Sequence, residues 1–266
     1  MFPILFELGP IAIPAWHTFY LLGAIAAYYV LVKSAPKLAP NVPESQLNTL
    51  YIICYLGGYF GARLLSIFVD ELQITGFVDT FLALFRLGPM TFYGGAIGCA
   101  LCGYVYVRWR RLPFAEIYDI SIPAGLIALG LGRIGCFLNG DDFGKAVSFE
   151  DVAPWWSVTF PNLRDGVPRY PVQLISTVMA FLIAGLALKF AGKWRSFVGI
   201  GGVGMIATAA YANYRFLIEF WRGDPRGSVL GGLLTTSQFV SVCVLIILAI
   251  IVARQILRVQ SAGTQV

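Results

Sequence analysis

Seven stretches of predominantly apolar residues succeed one another along this chain, at about 14–32, 47–69, 90–107, 117–138, 171–191, 197–221 and 233–253. Each comes close to the roughly 20 residues that a helix needs to cross the hydrocarbon core of a bilayer. No water is available there to satisfy main-chain N–H and C=O groups, so runs of this kind are confined to helix. Charged residues make up only 12% of the chain and hydrophobic ones 58%, far from the balance of a water-soluble domain. The expected fold is therefore all-α: residues 1–266 as one polytopic membrane domain with about seven transmembrane helices. The first run is not a cleavable signal peptide, because no basic segment precedes it and Glu7 stands there instead.

Lysine and arginine placement orients such a bundle. The loops after the first, third and fifth runs, with the C-terminal tail, hold Lys33, Lys37, Arg108, Arg110, Arg111, Lys189, Lys193, Arg195, Arg254 and Arg258, against Glu44, Glu116 and Asp119. The opposite side holds Arg86, Lys145, Arg164, Arg169, Arg222 and Arg226 against a larger set of acids that includes Glu7, Asp70, Glu71, Asp79, Asp141, Asp142, Glu150 and Asp151. The N-terminus is expected outside and the C-terminus in the cytoplasm. The net charge of +5 follows from this inside bias and gives no reason to expect a nucleic-acid partner.

Four charged residues remain inside the apolar runs: Arg63, Arg133, Arg215 and Glu219. A guanidinium at such depth costs about 2.5–3.5 kcal/mol on insertion scales, a cost commonly met by an anionic partner. Arg133 sits in the glycine-rich stretch Gly130-Leu131-Gly132-Arg133-Ile134-Gly135-Cys136-Phe137-Leu138-Asn139-Gly140-Asp141-Asp142-Phe143-Gly144, which opens into a polar loop. On the sixth run Tyr211, Arg215, Glu219 and Arg222 fall at i, i+4, i+8 and i+11, stacked along one helical face. One reading of that stripe is a self-neutralising Arg215–Glu219 pair. Adding Arg133 and Arg63 leaves surplus positive charge, which favours a phosphate or carboxylate site.

Two segments on the outer side, at about 70–89 and 139–170, have the character of ligand-access structures. The second carries Trp155 and Trp156, a pair suited to the headgroup level, whether as access elements or as ordinary belt residues. The stretches GLGRIG (Gly130 to Gly135) and GIGGVG (Gly199 to Gly204) match a dinucleotide fingerprint, but they lie in spanning segments without the preceding strand it requires. Their glycines instead permit close helix approach. Cys99 and Cys102 have no second cysteine pair, and Cys54, Cys136 and Cys243 are scattered within apolar runs. Neither a disulfide framework nor a zinc site is indicated, and neither metal nor cofactor is expected. His17, the sole histidine, lies near the outer end of the first run and reads either as a polar cap at the interface or as a catalytic residue.

The 130–144 stretch resembles the signature of the bacterial prolipoprotein diacylglyceryl transferases. Other segments are similar to that family in order and spacing: Pro10 to Gly23, Thr91-Phe92-Tyr93-Gly94-Gly95-Ala96-Ile97-Gly98, Arg169-Tyr170-Pro171-Val172-Gln173-Leu174, and Arg215-Phe216-Leu217-Ile218-Glu219-Phe220-Trp221-Arg222. The resemblance implies the same seven-helix, N-out arrangement and a multi-pass protein of the bacterial inner membrane. It also implies a reaction in which a diacylglyceryl group passes from phosphatidylglycerol to the lipobox cysteine thiol of a prolipoprotein, releasing glycerol phosphate. By motif, Arg133 and Arg215 would bind the phosphate and stabilise its developing charge, and Arg222 would join them. Glu219 would orient Arg215, Asn139 and Gly144 would shape the headgroup site, and Asp141 would serve the thiol or its peptide.

Two positions depart from the family. Tyr93 stands where a histidine proposed as base is usual, and Cys136 stands where asparagine is usual. Tyrosine, with a reference pKa near 10, is a weak base at neutral pH, whereas a free cysteine is already a few per cent thiolate. Two alternatives to the transferase follow. One is a non-catalytic or differently specific relative that binds anionic lipid or lipoprotein precursors. The other is a small-molecule transporter, for which internal repeats or paired broken helices would be the sign; the sequence has neither.

Overall fold

The computed structural model describes residues 1–9, 11–69, 76–86, 88, 90–147, 153–225 and 227–263. The inferences drawn above on Pro10, Asp70, Glu71, Glu150, Asp151 and Arg226, and on parts of the 70–89 and 139–170 segments, lie outside the described residues. The chain is mostly helical and divides into two compact units, one of Met1–Leu31 with Tyr118–Val266, the other of Val32–Ile117. Among the described residues, five helices are long and apolar enough to cross a membrane: α1 (Ala15–Leu38), α2 (Glu44–Val69), α5 (Phe114–Asn139), α6 (Val172–Lys189) and the first part of α9 (Thr236–Gly263). Between them come α3 (Phe77–Ala83), α4 (Phe92–Trp109), α7 (Ala191–Val198) and α8 (Gly202–Ile218). Glycines, tyrosines and Arg108 dilute α4, and α8 is a short helix that carries Arg215. These two, corresponding to the third and sixth expected runs, are the spans that length and hydropathy alone do not support.

The helices of both units expose large apolar side chains, among them Ile25, Ile52, Ile97, Leu182 and Ile247. That pattern suits lipid as solvent, where apolar burial brings little gain and close packing of small residues holds helices together. In the unit formed by Val32–Ile117, α2 and α4 meet on glycines. A methyl group on Gly57 would lie 2.6 Å from Cys102 Sγ, and one on Gly61 or Gly98 would strike the facing backbone. Cys102 is thus a packing residue. Arg63 is fully buried; its Nε donates to the carbonyls of Ala83 (3.0 Å) and Arg86 (3.2 Å), and its Nη1 to Ser66 Oγ (3.3 Å). Its charge serves the carbonyl end of α3, where cations are favoured. The expectation that Arg63 adds to surplus charge for a ligand is corrected accordingly.

In the other unit, the hairpin of β1 (Ile4–Leu8) and β2 (Ile11–Pro14) leads into α1, and Phe2 N–H donates to Leu138 O near the end of α5. Two further two-stranded hairpins, β3 (Val158–Thr159) with β4 (Pro168–Arg169) and β5 (Ser228–Val229) with β6 (Leu234–Thr235), precede α6 and α9 respectively. The α5 glycines again mark close approaches: Gly135 faces Trp16 and Phe19 of α1, and Gly130 faces Phe181 of α6. The second glycine cluster has an additional role. Asp119, fully buried, accepts hydrogen bonds from the amides of Gly201 (2.9 Å) and Gly204 (2.8 Å) and from Arg195 Nε (2.7 Å). The start of α8 therefore binds an internal carboxylate, as a helix N-terminus favours an anion.

Candidate functional site

The last turns of α5 carry Arg133, Cys136 and Asn139, and the helix stops at Gly140. That residue adopts φ 82, with its N–H returning to the carbonyl of Cys136 (2.9 Å), a left-handed cap that glycine takes without strain. The chain then turns sharply, and three contacts hold it. Asn162 Nδ2 donates to Gly140 O (2.9 Å), Gln173 Nε2 to Asp141 O (2.7 Å), and Asn139 Nδ2 to Asp141 Oδ2 (2.7 Å). Gly144 pairs with Arg222 in an isolated bridge, and any Cβ on it would collide with the main chain of Tyr170. Arg169 lies over the ring of Phe143, 4.9 Å from its centroid.

The arginines converge on carboxylates. Arg133 Nη1 donates to Asp142 Oδ2, and Arg222 Nη2 to Asp142 Oδ1 (2.5 Å). Arg222, itself buried, also grips both oxygens of Asp224 at 2.9 Å through Nε and Nη2. Arg215 Nη1 donates to Glu219 Oε2 (2.5 Å) and its Nη2 to Ser237 Oγ (2.6 Å). Each of the three guanidiniums is thus matched by a carboxylate, which corrects the expectation of surplus positive charge. The stripe on the sixth run is also shorter than its spacing suggested. Helix α8 ends at Ile218, Glu219–Trp221 form a 3₁₀ turn, and Arg222 is extended (φ −76, ψ 142). Arg222 reaches Asp142 from a bridge beside Gly144, not from the helical face of Arg215.

Several acceptors here are buried and, among the described residues, have no hydrogen-bond partner: Asp141 Oδ1, Gln173 Oε1 and Glu219 Oε1. Burial pushes the Asp141 carboxyl above its ordinary value, and neighbouring Asp142 adds to this; the Asn139 hydrogen bond and Arg133 oppose it. Cys136, Asp141 and Asp142 each offer an atom within 4.8 Å of the others. Asp142, however, is already bound to two guanidiniums, whose charge repels a cation and opposes metal binding by this cluster.

Of the residues expected at the site, the fold brings together Arg133, Asn139, Asp141, Gly144 and Arg222, while Arg215 and Glu219 form their own pair at the end of α8. Tyr93 stands at the start of α4 in the unit of Val32–Ile117, half-buried, its ring 5.8 Å from that of Phe92. His17 packs edge-on against Trp16 at 5.2 Å between ring centroids, and neither ring nitrogen has a hydrogen-bond partner among the described residues, so a capping role is not seen. Trp155 is almost wholly exposed, whereas Trp156 stacks on Tyr170 at 5.3 Å. Sequence reading missed Asp142, Asp224, Gln173 and Ser237. The signals were the position of Asp142 inside the glycine-rich stretch and that of Gln173 inside the Arg169–Leu174 segment.

Fold and site together define a class: a multi-pass helical membrane protein with a cluster of arginine–carboxylate pairs where two helices end in polar turns. The family described as prolipoprotein diacylglyceryl transferase matches residues 3–254. The chain belongs to that family. Similar proteins include the phosphatidylglycerol–prolipoprotein diacylglyceryl transferase of Clostridium tetani, 33% identical over 93% of this chain and 95% of that protein. Those of Geobacter sulfurreducens (31% identical; 90% of this chain, 89% of that one) and Vibrio cholerae (30%; 92% and 88%) bear the same name.

Proposed function

We propose that this protein transfers the diacylglyceryl group of phosphatidylglycerol to the lipobox cysteine thiol of a prolipoprotein. The supporting observation is the meeting of Arg133 and Arg222 on one carboxylate, with Arg215 at the neighbouring helix end, in a chain of this family. In the reaction the thiol loses its proton, the sulfur attacks the glyceryl carbon, an S–C bond forms, and the C–O bond to phosphate breaks. The electron pair departs on the phosphate oxygen of glycerol phosphate. Arg133, Arg215 and Arg222 hold that phosphate and stabilise the charge it gains. Glu219 orients Arg215 through their ion pair; Asn139 and Gly144 fix the turn that bounds the headgroup. Asp141 faces the thiol or its peptide, and Tyr93 takes the place of the proton acceptor. Seven spans with the N-terminus outside, in the bacterial inner membrane, complete the reading; the loop charges support it. A second reading, a lipid-binding relative without transfer activity, is favoured by Tyr93 standing where the family's histidine is usual.

The experiment is incubation of purified protein with phosphatidylglycerol and a lipobox peptide, followed by mass spectrometry. A diacylglyceryl adduct on the peptide cysteine is expected. Binding of the lipid with no adduct would favour the second reading.

A further inference from the structure

Asp142 sits where an anion from outside would bind. Its two carboxylate oxygens are divided between guanidiniums from separate elements, Oδ2 facing Arg133 of α5 and Oδ1 facing Arg222 beyond α8. Two oxygens bridging two guanidiniums is the geometry that a phosphodiester presents to arginines. The carboxylate is also the outermost member of the trio: its side chain is 27% exposed, against 13% for Arg133 and 4% for Arg222. Of the three side chains, the carboxylate is therefore the most open to exchange with a ligand. The main chain at Asp142 is left-handed, φ 59, a conformation uncommon for any residue but glycine and tolerated best by Asn and Asp. Such outliers gather at functional sites, held there by their surroundings.

We propose that Asp142 is a specificity-determining residue: its carboxylate occupies the anion position between Arg133 and Arg222 and competes with the phosphate of the incoming lipid. This rests on the reading of those arginines as the seat of the lipid phosphate. Arg222 keeps Asp224 whether or not Asp142 is displaced, so Arg133 is the cation whose charge Asp142 controls. Small phosphates, which bring headgroup charge without acyl-chain contacts, are held off the arginines, and the carboxylate returns as glycerol phosphate leaves.

The test uses the full chain in a non-ionic detergent. Inorganic phosphate is titrated calorimetrically into wild type, Asp142→Asn, Asp142→Gly, Arg133→Ala and the Arg133→Ala/Asp142→Asn double variant. KM and kcat for phosphatidylglycerol are measured alongside. Asn and Gly both accept the left-handed backbone, so either variant can stand for the other if one melts early. Loss of the carboxylate should tighten phosphate binding on the order of tenfold and lower KM for the lipid, and Arg133→Ala should erase the gain. Unchanged or weaker phosphate binding in both Asp142 variants, with binding still lost in Arg133→Ala, would overturn the role of Asp142 while leaving the arginine site intact. Phosphate binding indifferent to Arg133 in every variant would overturn both.

Discussion

Arg133 enters its site from the last turns of an apolar helix and ends on a carboxylate nine residues later in sequence. Its replacement by alanine should lower transfer by about 10²–10³-fold, the usual effect of losing one donor to a developing oxyanion. Adduct formation per unit time on a lipobox peptide measures this, and near-normal turnover would remove Arg133 from the site. For Tyr93, the Phe variant should lose about 10²-fold or more if its ionised phenolate takes the thiol proton and becomes the neutral phenol; retained activity would place thiolate formation with the arginines instead. Asp141 gives a prediction in pH. Its folded carboxyl titrates above the ordinary 3.8 because burial disfavours the charge, so ionisation costs stability in the folded state. That cost is absent below the ordinary value and grows as pH rises through it toward the raised one. Asp141→Asn, which cannot ionise, should match wild type in thermal melts at low pH and melt higher at neutral pH; an equal gap at both would contradict the assignment.

At the scale of elements, the glycine clusters were legible as close-packing positions, because a stripe of missing side chains in an apolar run has few other uses in lipid. Their partners were not legible. The Gly199–Gly204 cluster reads as a packing surface, yet two of its amides hold the buried Asp119 carboxylate, some 80 residues earlier in the chain. Asp119 itself was counted as a loop charge. Asp119→Ala leaves Arg195 and the start of α8 without their anion, and should cost about 3–5 kcal/mol, as when one partner of a buried pair is removed. Unfolding in mixed detergent would show it, with a loss below about 1 kcal/mol arguing against the network. The polar stripe on α8 shows the same limit. Helical spacing placed Tyr211 and Arg215 on α8 and Glu219 within reach of Arg215, but it ran on to Arg222 across the 3₁₀ turn that follows Ile218.

At the scale of the molecule, the loop charges predict an N-terminus outside and a C-terminus in the cytoplasm. Reporter fusions at the two ends should read opposite sides of the membrane; the same side would remove one span, with α4 and α8 the first suspects. The membrane class and most helix limits could be read from the sequence, because a bilayer imposes length and hydropathy on each span separately, residue by residue. Family membership was legible for a related reason, since its motifs are local runs. The partner of each buried charge lay beyond the sequence's reach. Arg63 and Arg133 both occur as lone arginines in apolar runs, and although the glycine-rich stretch sets Arg133 apart, neither sequence context names the group its guanidinium meets. Tertiary structure spends the first on the carbonyls that end α3 and delivers the second to Asp142 beside Arg222, because electrostatic partners are chosen by distance in space, and that distance exists only after the chain has folded.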